Sequence, residues 1–69
     1  MKNELIKTMT SHLENMCGEL ALGNKELFYY YAGKADAIRD ILEERYNWSE
    51  HEASKHIKDM WDIMDDNWC

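Results

Sequence analysis

Sixty-nine residues, 45% hydrophobic and 32% charged with no proline and three glycines, describe a single small helical domain rather than a disordered or strand-rich chain. A core of this size yields only a few kcal/mol of net stability, so self-association is one way such a chain can gain more. The net charge of −6 opposes direct binding to nucleic-acid backbones and to anionic membranes, and no apolar run approaches the roughly 18 residues of a membrane span.

Leu5, Ile6, Met9, Leu13, Met16, Cys17 and Leu20 recur at steps of three and four, which predicts an amphipathic helix over about residues 2–22. Gly23 can take the left-handed conformation that ends a helix, and Asn24 can cap the next one. So short a link predicts an antiparallel hairpin.

The second helix, about 25–46, carries a stripe of Leu27, Phe28, Tyr31, Ala35, Ile38, Leu42 and Tyr46 to face the first. A narrower strip of Tyr30, Gly33, Ala37 and Ile41 runs beside it. In a three-helix bundle that strip is expected to touch the third helix. The other use for it is self-association or a partner, with Tyr29 and Trp48 as further aromatic anchors.

The third helix is expected over about 49–67. Ser49 and Glu52 have the spacing of a capping box, and Trp48 can staple onto Ala53. Ala53, Ile57, Met60, Trp61, Met64 and Trp68 then form an apolar stripe, with Glu52, Asp59, Asp62 and Asp66 on the opposite face and Asp65 beside them. The expected architecture is therefore all-α: a hairpin plus a third helix, a three-helix bundle over residues 1–69, with a homodimer as the possible larger unit.

Charge is distributed unevenly. Met1 to Leu22 and Lys25 to Tyr46 each carry a net −1, whereas Ser49 to Cys69 carries −4. Asp62, Asp65 and Asp66 lie near the end of the third helix, where the macrodipole is already negative and further negative charge is unfavourable. Helix stability does not account for them, which makes Glu52, Asp59, Asp62, Asp65 and Asp66 the candidate partner-binding residues.

Chemistry-bearing motifs are lacking. His51 and His56 stand five apart rather than the four of H-E-x-x-H, and on one regular helix that step separates their imidazoles by about 140°. No histidine has a glutamate three residues before it, as a di-iron bundle would want. Cys17 lies on an apolar stripe with His12 at its edge, a poor setting for a nucleophile, and Cys69 at the terminus is expected to be frayed. No enzyme activity, metal or cofactor is expected. Charges scattered through Met1 to Asn15 do not resemble a signal peptide, so a cytoplasmic protein is expected.

Three classes of function remain. The preferred one is an acidic protein-interaction module, an inhibitor or regulator of a partner with a basic surface, including the case in which carboxylates mimic the phosphates of a nucleic acid. In smallness, acidity and absence of chemistry the chain has the general look of accessory proteins encoded by phages and mobile elements, a resemblance of type only. The second class is a structural or assembly homodimer with no charged partner. The third is a helix-turn-helix regulator, disfavoured because no helix presents the basic face that DNA requires.

Overall fold

Three helices, α1 (Lys2–Ala21), α2 (Lys25–Tyr46) and α3 (Lys55–Asn67), with a 3₁₀ turn over Glu50–Glu52, make up the computed structural model, which describes residues 1–68. The fold is the expected all-α three-helix bundle, in which α1 packs against both α2 and α3. The expectation for Cys69 lies outside the described residues.

The hairpin closes where Gly23 predicts. Gly23 adopts a φ of 78°, its N–H donates to the Leu20 carbonyl, and the Asn24 N–H donates to the Glu19 carbonyl at 2.9 Å. This pair of bonds is a Schellman motif, which needs a left-handed residue at the turn. The Asn24 side chain then accepts from the Leu27 N–H, capping α2.

Both hairpin stripes pack as their spacing requires. Met9, Leu13 and Met16 of α1 are buried against Phe28, Ala32, Ala35 and Leu42 of α2, with Leu5, Ile6, Cys17, Leu20, Tyr31, Ile38 and Tyr46 half-buried around them. Leu27, expected in the stripe, is exposed, and Ala32 takes a core place instead.

Beyond α2 the chain departs from the expected continuous helix. Asn47 turns it in the left-handed conformation (φ 55°), and the Trp48 N–H donates to the Leu42 carbonyl at 3.1 Å. The bond fixes Trp48 close to the end of α2, and its side chain is buried in the core at 4% exposure. Trp48 is therefore not a surface anchor.

The Ser49/Glu52 box forms, but it closes only a single turn. The Ser49 N–H donates to the Glu52 carboxylate at 3.2 Å, and the Glu52 N–H to the Ser49 carbonyl at 3.0 Å. Ala53 then becomes extended, and Ser54 starts the true helix, its hydroxyl accepting from the Ile57 N–H at 3.3 Å. Two capping residues five apart cannot both begin one helix. With Trp48 and Ala53 each packed on the core, the chain breaks between them. From Ser54 onward the apolar stripe is as expected, with Ile57, Met60, Trp61 and Met64 all buried. Trp68 ends the helix 46% exposed, against the ring of Tyr29 at 5.5 Å between centroids.

Arg39 connects these parts. Its guanidinium stacks over the Trp61 ring at 4.3 Å and bonds Asp36 on its own helix and Glu50 of the 3₁₀ turn, the latter at 3.1 Å.

Ser54→Ala is expected to cost about 1 kcal/mol as the loss of a helix cap, and Ser49→Ala less, when the two are compared by urea denaturation followed by circular dichroism. The reverse order would return the start of the helix to Ser49. Trp61→Ala is expected to cost about 3–5 kcal/mol and abolish the cooperative transition.

Candidate functional site

At 100° per residue, Asp59, Asp66 and Asp62 of α3 fall within an arc of about 60°, and Asp65 lies about 60° beyond Asp62, on the flank next to Trp61. All four are exposed. Their surroundings differ. Asp59 is paired with Lys55 at 2.9 Å, and its hydrogen bond and charge hold the lysine ammonium above its usual range. Asp62, Asp65 and Asp66 have no ion-pair partner among the described residues, and the last turn of α3 holds no basic side chain. The Asn67 amide donates back to the Ile63 carbonyl at 2.8 Å, supplying a neutral donor at the negative end of the helix.

Glu52 does not share this face. The break at Ala53 separates it from α3, and its carboxylate is held in the turn by the Ser49 N–H. The same break brings Glu50 and His51 against the flank of α3. There Glu50, His51, Lys58, Trp61, Asp62 and Asp65 line an open notch of about 320 Å³. Of these, Asp62 and Asp65 were expected from the sequence, whereas Glu50, His51 and Lys58 were not. Their place depends on a chain reversal that helical periodicity cannot reveal, although the second cap signal at Ser54 was available to suggest it. Trp61 lies in the wall at 3% exposure, and its indole N–H is buried without a hydrogen-bond partner among the described residues.

His51 and His56 stand on different elements, so one helical phase does not describe them. His56 Nε2 lies 3.9 Å from the Glu14 carboxylate, a contact between α3 and α1. His12 stacks on Tyr31 at 6.1 Å, and Cys17 is half-buried. Among the described residues no group of His, Cys, Asp and Glu is arranged to hold a metal ion. No helix is long and apolar enough to cross a membrane.

The strip of Tyr30, Gly33, Ala37 and Ile41 was expected against the third helix but faces solvent. Tyr30 is 52% and Ile41 40% exposed, and space is open over Gly33. The Lys34 ammonium lies over the Tyr30 ring at 4.6 Å. Tyr29 is half-buried, packed edge-on between Phe28 and Trp68, and belongs to the contact between α2 and α3 rather than to this surface. The chain matches no protein-family model, no curated protein and no solved structure.

Burial and the nearby Glu14 carboxylate raise the Cys17 thiol above its usual range, so at neutral pH it stays protonated. Labelling of Cys17 by a disulfide reagent, in a Cys69→Ser background, is expected to be slower in the native protein than in urea. The native rate should rise with pH only above the range of a free thiol. Equal rates in the two states at pH 8 would contradict this assignment.

Proposed function

We propose that this protein is an acidic protein-interaction module that binds a basic surface of another protein through α3 and thereby inhibits or regulates it. The observation that carries the reading is the set of Asp62, Asp65 and Asp66, three exposed carboxylates without ion pairs among the described residues, in the last turns of a helix whose dipole opposes them. Asp59 adds to the same face, its charge partly offset by Lys55. A partner's lysines and arginines would relieve that repulsion as they bind, and the charge would also accelerate encounter. Glu52 is left out of the docking face because its carboxylate caps the turn. A nucleic-acid-binding protein has a basic surface of the required kind, and spaced carboxylates on a rigid helix can occupy its phosphate sites. A cytoplasmic setting accompanies this reading.

The exposed Tyr30, Gly33, Ala37 and Ile41 strip favours a second reading, a homodimer joined through α2 with no charged partner. Ionic strength separates the two: docking through α3 weakens steeply with salt, whereas an apolar α2 interface responds little.

Replacing Asp59, Asp62 and Asp66 together with Asn is expected to leave the helical spectrum unchanged and the unfolding midpoint equal or slightly raised. Capture of basic proteins from the native host's lysate on the immobilised triple variant should fall, and wild-type capture should be reversed by salt. Undiminished capture by the triple variant would remove the acidic face as the docking site, and sedimentation as a salt-insensitive dimer would transfer the function to α2.

A further inference from the structure

The outer face of α2 carries more than its apolar strip. In steps of three and four its seam reads Glu26, Tyr30, Gly33, Ala37, Ile41 and Glu44, all exposed, and at 100° per residue these six lie within an arc of about 80°. The middle of the seam is a saddle. Tyr30 and Ile41 stand at 52% and 40% exposure, and a side chain added at Gly33 between them would meet nothing. A small pair four residues apart lets a second helix approach to about 8 Å between axes. The two ends of the seam are carboxylates, and neither Glu26 nor Glu44 is in an ion pair among the described residues. Glu26 suits the first turn of α2, but Glu44 lies in the last turns, where the dipole opposes it. Lys34, over the Tyr30 ring, borders the seam on one side and Asp40 on the other.

This pattern of charge selects among occupants. A second copy of the chain would meet its own carboxylates. Antiparallel pairing that seats Gly33 of one copy over Ala37 of the other places Glu26 opposite Glu44 at both ends, and parallel pairing in register places each glutamate opposite itself. Like charges so placed disfavour both arrangements, as does the charge of −6 on each copy. We propose that the outer face of α2 is a docking groove for one amphipathic helix of another protein, whose apolar seam ends on both sides in lysine or arginine. Those basic ends stand about 27 Å apart, the rise over the 18 steps from Glu26 to Glu44. A large apolar side chain of that helix sits over Gly33 and Ala37, flanked by Tyr30 and Ile41, and its basic ends meet Glu26 and Glu44. This surface lies on a different helix from the acidic face of α3 and does not depend on it. It assigns the strip to a different protein rather than to self-association.

The test titrates the ¹⁵N-labelled full chain with an acetylated, amidated helical peptide of about six turns, carrying leucine and alanine along one seam and lysines at each end. A second peptide has glutamates in place of those lysines. The lysine-ended peptide is expected to shift the Gly33, Ala37 and Ile41 amides saturably, and the glutamate-ended peptide to bind about tenfold more weakly or worse. Glu26→Gln/Glu44→Gln should bring the two affinities close together. Gly33→Leu fills the saddle at an open helical position and raises helix propensity, so it should leave the fold intact and abolish the shifts. Any shifts on α3 that accompany them should vanish in the Asp59→Asn/Asp62→Asn/Asp66→Asn variant, with those on α2 unchanged. Loss of the α2 shifts in that variant would overturn this surface and leave the acidic face of α3 standing. No saturable α2 shift, or one that survives Gly33→Leu, would overturn the groove, and equal affinity for the two peptides would overturn the basic ends. The wild-type chain is expected to sediment as a monomer, and a dimer that Gly33→Leu dissociates would give the strip to a second copy instead.

Discussion

The Arg39 guanidinium stacked on the Trp61 ring is the contact that ties the C-terminal third to α2. The hairpin of α1 and α2 has its own core, but α3 approaches α2 chiefly through side chains, Trp61 against Arg39 and Trp68 against Tyr29. Arginine suits the position because its planar head can stack on an indole while its edge bonds carboxylates on two elements, Asp36 and Glu50. A part-buried cation–π contact contributes on the order of 1 kcal/mol, a substantial fraction of the stability available to a domain this small. The same guanidinium holds Glu50, which the break at Ala53 brings to the flank of α3.

That arrangement sorts the carboxylates that surround Arg39 and α3 into two groups. Asp36, Glu50, Glu52 and Asp59 have partners that satisfy them, in an ion pair or a cap. Asp62, Asp65 and Asp66 have none among the described residues, although Lys58 lies one turn from Asp62. The concentration of charge in the last third of the chain thus resolves into a smaller feature at one end of one helix. Nothing in the packing of α3 requires aspartates there, because its stability comes from Ile57, Met60, Trp61 and Met64 on the buried stripe. The buried stripe and the exposed carboxylates therefore occupy opposite sides of α3, and Trp61 belongs to both the core and the wall of the notch.

The outer side of α2 is organised differently. Tyr30 and Ile41 are large, apolar and exposed, with the small Gly33 and Ala37 between them, and a lysine rather than a carboxylate covers Tyr30. An exposed apolar strip on one helix and an acidic face on another give the bundle two chemically distinct surfaces.

Much of this was legible in the chain itself. Helical spacing determined the three helices and nearly all of their buried positions, because burying one stripe is the main way a small amphipathic helix gains stability. Gly23 and Asn24 determined the hairpin, because few residues accept a left-handed turn or supply a cap. The sequence also located the acidic residues of α3 and their conflict with the helix dipole. Tertiary structure alone decided three other matters. It broke the chain between Ser49 and Ser54, since two valid caps competed and only the burial of Trp48 and Ala53 on the core could choose between them. It moved Trp48 inside and left the Tyr30 strip outside, because periodicity says which residues share a face and not what covers that face. Finally, it assembled the notch from the 3₁₀ turn and the flank of α3, a juxtaposition that follows from the break at Ala53 and is spanned by the Arg39 guanidinium rather than written in any local pattern.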